Sequence, residues 1–329
     1  MSQSKKNEPG NRSAEKAPGS KIIDKAPKWN RTGFIIASVV LAIILIIVGV
    51  FYYQERVVPF QRTILTVDDS TINMDYFLKR TRLAGADPIG MLQTLTREQV
   101  IKLAAPQYVG EVSPEDIDRI LRDTSNTTSE SEFKAWYRQQ LNENGLSDPE
   151  FKEIIGSGLL TARLHEYLVE RMPTVAEQIH PHIILLETYE DAEEVRTRWE
   201  AGEDFAALAR EVSLDEATKE KGGDLGWFPR GILDFQLEYE AFSLSTGNVS
   251  EPSAYYDVSD DPSSSEVIYY YLLMVSEKAA AREVSEDYLP MLKAKVLDDW
   301  YLVELQFHEI SSNFNSEIYA WLNWQLAKQ

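Results

Sequence analysis

The chain has 329 residues, 43% of them hydrophobic, so it can bury a sizeable core and wholesale disorder is excluded. Its 33 basic and 53 acidic side chains give a net charge of −20, which argues against nucleic acid as a partner, since polyanions reward basic surfaces. Cysteine is absent, which excludes disulfides, thiolate catalysis, cysteine-ligated metals and a lipid-modified N-terminal cysteine.

Residues 1–32, rich in Ser, Gly, Pro, Lys and Asn, read as a disordered tail. Residues 33–53, "GFIIASVVLAIILIIVGVFYY", carry no charge. As a helix they would span about 30 Å, the hydrocarbon thickness of a bilayer. Tyr52 and Tyr53 stand at the end, where amphipathic rings favour the interface. Eight basic and three acidic residues precede the span. This predicts an uncleaved single-pass anchor in the cell membrane, with a cytoplasmic N-terminus and an extracytoplasmic remainder. The exported part then holds 25 basic and 50 acidic residues.

Residues 54–175 read as a mainly helical module. "RTILTVDDSTINMDYFLKRTRL" predicts a short strand, a turn and the start of a helix. In "SPEDIDRILRD", Ser113 is placed as N-cap, Pro114 at the first helical position and Asp116 in a capping box. "SEFKAWYRQQL" sets Phe133, Trp136, Tyr137 and Leu141 on one face, with Gly145 as the stop. "SDPEFKEIIGSGLLTARLHEYLVERM" continues at helical spacing.

Residues 176–278 change texture to a compact α+β domain. "IHPHIILLE" is a strand, "TYEDAEEVRTRWEAG" a helix capped by Thr188 with Asp191, and "DFAALAREVS" a shorter helix. The loop "KGGDLGWFPRG", Lys221 to Gly231, follows; it lacks the lysine and spacing of a phosphate cradle. A helical "DFQLEYEAFSL" and a turn at Thr246–Gly247 lead into the β-rich runs "SAYYDV" and "EVIYYYLLMV", separated by the polar "SDDPSSSE". Residues 279–329 return to helical spacing, through Leu289, Leu292, Val296, Trp300, Val303 and Phe307. His180 and His182 lie at i, i+2 on one strand face, formally the beginning of a metal site. His165 and His308 fall in other modules, so no metal and no cofactor is expected. "NTT" at Asn126 and "NVS" at Asn248 match the glycosylation pattern, which matters only in a host that glycosylates exported chains.

The stretch from Ile179 to Val275 resembles the parvulin family of peptidyl-prolyl isomerases. The resemblance rests on "HIILL", "AGEDFAALAREVSLDEATKEKGGDLGWFPRG" and "EAFSLSTGNVSEP", in that order. The surrounding arrangement is similar to the PrsA and SurA type of foldase. It implies an α+β fold class in which a single N-terminal transmembrane helix precedes a SurA-like helical module, an FKBP-like parvulin domain is inserted, and the 279–329 segment packs back on the 54–175 module.

The resemblance also implies site residues. His182 matches the family's first-strand histidine, and Asp215 stands where the family carries cysteine or aspartate. Leu233, Leu237 and Phe242 match the lining of the proline pocket. Gly222, Gly223, Asp224 and Gly226 form the structural loop. The family's second histidine, on the last strand, is replaced by Tyr271; a phenol can still donate and accept a hydrogen bond. The expected function is X–Pro isomerisation in unfolded or partly folded exported polypeptides, together with holding them. The alternatives are a catalytically inactive parvulin-fold chaperone and an assembly factor bound to translocation machinery. The acidic "ETYEDAEE" run predicts no preference for phosphorylated clients, because like charges would meet.

Overall fold

The computed structural model describes residues 31–256 and 267–328, with side chains from Phe34 onward. The N-terminal tail and the "SDDPSSSE" loop lie outside the described residues, save for Arg31 and Thr32 at the start of the first helix and Val267 beyond the loop. Two units divide the chain, 1–62 and 63–329.

The first unit holds α1 (Arg31–Arg56) and the short α2 (Val58–Gln61). Within α1, Phe34–Arg56 is long and apolar enough to cross a membrane, with a mean hydropathy of 3.3 in its most apolar window and none of that window buried.

The second unit begins with β1 (Thr63–Val67) and β2 (Ser70–Asn73), a hairpin where the sequence predicted one strand. Helices α3 (Met74–Ala84), α4 (Pro88–Ala104), α5 (Pro106–Val109), α6 (Pro114–Ser125), α7 (Glu130–Asn144) and α8 (Asp148–Arg171) follow. Their ends are set by local chemistry. Asp87 accepts from the N–H groups of Ile89 and Gly90 ahead of Pro88, and Ser113 and Asp116 form the capping box of α6. Gly145 closes α7 in the left-handed region at φ 63°. Arg80, buried in α3, is held by two hydrogen bonds to Glu98 at 2.6 and 2.7 Å.

Next come β3 (Val175–Leu186), α9 (Tyr189–Glu200), α10 (Phe205–Val212), β4 (Phe228–Pro229), α11 (Phe235–Ser243), β5 (Ser253–Tyr256) and β6 (Val267–Glu283). Among the described residues they make a four-stranded sheet of order β4-β3-β6-β5, with antiparallel neighbours. One face packs Ile184, Leu186 and Leu272 against α9 and α10; the other packs Ile183, Tyr271 and Leu273 against α11. Both long strands exceed the sequence expectation. The buried Gln178 breaks the apolar pattern of β3, and its amide donates to the carbonyls of Arg282 and Glu283 at the far end of β6.

The last segment is not wholly helical. Residues 279–283 complete β6, α12 spans Leu289–Glu304, β7 spans Ile310–Ser312 and α13 spans Ser316–Leu326. Strand β7 pairs with β1, extending the hairpin to the order β2-β1-β7. Leu297 of α12 shares a core with Ile101, Ala105, Leu160 and Leu164, and Leu322 of α13 is fully buried.

Candidate active site

The loop Lys221–Gly231 completes an edge of the sheet. Strand β4 pairs with β3 only at Gln178 and Ile179. Beyond that point, Leu225 N–H donates to the Pro181 carbonyl at 3.1 Å and Ile183 N–H to the Gly223 carbonyl at 2.9 Å. Leu214 N–H donates to the Leu185 carbonyl at 2.8 Å. A chain pressed this closely on a strand has no room for a side chain. A Cβ on Gly223 would stand 2.3 Å from the Ile183 carbonyl oxygen, and Gly223 adopts φ +78°. A Cβ on Gly222, at φ +73°, would stand 2.5 Å from Ala206 Cβ. Glycine is therefore required for close approach to β3 at Gly223 and to α10 at Gly222.

Alternation along β3 puts His180, His182, Ile184 and Leu186 on one face and Ile179, Ile183 and Leu185 on the other. His182 Nε2 lies 3.1 Å from Ser276 Oγ, and the Ser276 hydroxyl donates to the His180 carbonyl at 3.1 Å. A hydroxyl has one proton, so with that bond made His182 donates from Nε2. Its Nδ1 faces the Gly222 carbonyl at 3.4 Å. Burial pushes the His182 pKa below its usual value, which keeps the ring neutral at pH 7. His182 thus ties its strand to β6 through Ser276, with the glycine loop lying against its other ring nitrogen.

His180 stacks on His182 at 5.3 Å and on Trp227 at 5.2 Å. Its Nε2 is 2.6 Å from Asp224 Oδ1, the oxygen that also accepts from the Gly226 N–H at 2.7 Å. Burial works against ionisation of Asp224, but the hydrogen bonds from Gly226 and His180 outweigh it and hold the carboxyl below its ordinary range.

The other predicted site residues separate into two places. Asp215 accepts from the Ala217 N–H at 3.2 Å and from the Thr218 hydroxyl, anchoring the turn that leads into the glycine loop. Its carboxylate bonds to that turn and not to His182. Tyr271 faces Leu185 across the β3–β6 ladder, whereas His182 faces Met274, so the two lie on opposite faces of the sheet. The register thus keeps the Tyr271 hydroxyl, standing where the resemblance puts the family's second histidine, away from His182. The Tyr271 hydroxyl donates to Glu240 at 3.0 Å and lies 3.3 Å from the Gln236 carbonyl, both on α11. Burial, reinforced by the negative charge of Glu240, pushes the phenol pKa up, so it remains an O–H donor.

Leu233, Leu237 and Phe242 do come together, in one apolar cluster with Leu225, Tyr255 and Tyr271. Phe242 is buried, while Leu225, Leu233 and Leu237 are half-buried and reach the surface. Sequence reasoning missed Ser276 and Glu240. A lone serine in a strand and a glutamate in a helix carry no signal until register and packing give them partners.

Residues 185–256 match the family model for the rotamase, PPIC-type PPIase domain. The foldase protein PrsA of Caldanaerobacter subterraneus subsp. tengcongensis is 51% identical over 69 residues, covering 21% of this chain and 22% of that protein. Foldase protein PrsA 2 of Bacillus anthracis is 30% identical over 197 residues, covering 58% of this chain and 64% of the relative. The chain thus spans less than two thirds of the length of these curated relatives. Among solved structures, the peptidylprolyl isomerase PrsA from Bacillus cereus aligns over 82% of this chain and 92% of its own, at 19% identity and a TM-score of 0.37. Residues 185–256 belong to the PPIC-type, or parvulin, family of peptidyl-prolyl isomerase domains, within a chain similar to the PrsA foldases.

Proposed function

We propose that this chain is a membrane-anchored extracytoplasmic foldase. Its 176–278 module would accelerate cis–trans isomerisation of X–Pro bonds in exported polypeptides, and its helical part would hold unfolded stretches of them. The family match at residues 185–256 carries this reading, because it covers the loop stitched to β3 and the half-buried leucines beside it. Isomerisation must lower a barrier of about 18–20 kcal/mol that arises from amide resonance. No bond breaks, so the work is to hold the twisted amide better than the planar one.

Leu225, Leu233 and Leu237 supply an apolar wall for the pyrrolidine ring, with Tyr271 and Phe242 packed behind it. His182 acts as a positioning residue, since its hydrogen bond to Ser276 fixes β6 beside the stretch of β3 that carries the glycine loop and Leu225. Asp215 supports the same loop from the preceding turn. Tyr271 fixes α11, which carries Leu237, through Glu240. Helix α1 serves as the anchor, and the basic excess before it keeps that end cytoplasmic. A translocation partner would be met through 33–53 and would be seen by co-purification that is lost when the span is exchanged for an unrelated one. The insertion of 176–278 into the helical module belongs to the same proposal, supported by the pairing of β7 with β1.

One observation favours a second reading, a docking module without catalysis: His182 and Tyr271 lie on opposite faces of the sheet. Titrating a short Ala-Pro peptide into the isotopically labelled protein tests where clients bind. Amide shifts centred on Leu225, Leu233 and Leu237 are expected. Shifts confined to α4 and α8 would place peptide binding elsewhere and remove the proline wall.

A further inference from the structure

The face of the sheet bearing His182 also gathers donor atoms of a kind that X–Pro isomerisation does not itself require. One ring nitrogen each from His180 and His182 and one carboxylate oxygen of Asp224 lie within 4.8 Å of one another. The two histidines share a strand face at i, i+2, and the glycine loop brings Asp224 to them through its bridge to His182.

Proton bookkeeping shows what the cluster lacks. His180 commits its Nε2 proton to Asp224, and its Nδ1 is buried with no hydrogen-bond partner. His182 commits its Nε2 proton to Ser276, and its Nδ1 faces only the Gly222 carbonyl, itself an acceptor. One nitrogen of each imidazole and a carboxylate oxygen are therefore gathered in one place, and of the three only His180 and Asp224 are hydrogen-bonded to each other. The group lies half-buried beside Trp227, where an unmatched polar atom is costly.

We propose that His180, His182 and Asp224 bind a divalent late first-row transition ion such as Zn²⁺, with water completing a tetrahedral site. Two imidazoles and one carboxylate select such an ion over Ca²⁺ or Mg²⁺, which take oxygen ligands. Bonds of about 2.0 Å at tetrahedral angles set donor atoms roughly 3.3 Å apart. The cluster contracts from its present spread, and the His180–Asp224 hydrogen bond opens to admit the ion. His182 would then bind through the free lone pair of Nδ1 and keep its Nε2–H contact to Ser276, so the ion would also draw the ring off the Gly222 carbonyl and reposition the glycine loop. That consequence rests on the isomerase reading; the binding itself does not.

Titration calorimetry of the untagged full-length chain in detergent micelles, with ZnCl₂ as the probe, tests the proposal independently of activity. One Zn²⁺ per chain is expected, with affinity falling at least tenfold in Asp224→Asn and in His180→Gln. Asn keeps an Oδ1 acceptor for the Gly226 N–H, so Asp224→Asn retains the loop contact, and circular dichroism checks both variants. His308→Gln should leave binding unchanged; His308 pairs with Asp68 in a separate cluster. Absence of saturable binding to the parent would overturn the proposal. So would Zn²⁺ binding that survives both variants or disappears in His308→Gln.

Discussion

At the scale of residues, the glycine loop makes a graded set of demands. Gly223→Ala forces a Cβ against a backbone carbonyl at a left-handed φ, so it should destabilise the chain by at least about 2 kcal/mol in denaturant unfolding. Gly226→Ala should cost only about 1 kcal/mol: its φ is +85°, but nothing stands within 4 Å of the added carbon. Equal losses at both sites would show that close approach to β3 is not the constraint. His182 gives a pH signature. Its folded pKa lies below the ordinary 6.5, so folding favours the neutral ring. Stability is then undiminished above pH 6.5 and is lost as the pH falls below it toward the depressed folded value. His182→Gln should flatten that fall in unfolding curves between about pH 7 and 5. The resemblance marked His182, yet its partner Ser276 could not be read from the sequence. That contact depends on a β-bulge near His180 and Pro181, which shifts the β6 register.

At the scale of elements, helices were legible where caps and apolar spacing agree. Ser113, Thr188 and Gly145 stand at the ends they mark. Strands were less legible. The first strand became a hairpin, β3 begins with the polar-rich Val175–Gln178, and β7 is three residues with no pattern to show. The identity of β7 comes from pairing with β1, a contact between the two ends of the second unit. Helix α13 adds Leu322, fully buried against α3 and α4. Leu322→Ala should therefore cost about 2–5 kcal/mol, read as a shift in the denaturant midpoint. A cost below about 1 kcal/mol would mean that the C-terminal helix adds little to this core. Tyr271 shows the limit of alignment alone. Its position in the sequence matched a histidine, while register turned its hydroxyl toward Glu240. Tyr271→Phe should cost about 1–2 kcal/mol, because a buried hydrogen bond to a charged group is lost.

At the scale of the whole molecule, the charge of −20 bears on which clients the proposed foldase would take. A strongly negative chain should stay soluble beside sticky polypeptides and favour basic ones. A phosphoserine before proline should not speed turnover, and a faster phosphopeptide would contradict the charge argument. If residues 176–278 accelerate X–Pro isomerisation, as proposed, relaxation kinetics will show it. Cis-to-trans relaxation of a panel of short X–Pro peptides would be followed with the full-length chain in detergent micelles, alongside Leu237→Ser and His182→Ala. The parent should accelerate relaxation, and Leu237→Ser should reduce that acceleration at least tenfold, His182→Ala more weakly. Relaxation no faster than the uncatalysed rate across the panel, from a parent whose circular dichroism shows it folded, would rule out isomerisation by this domain and leave a peptide-docking module.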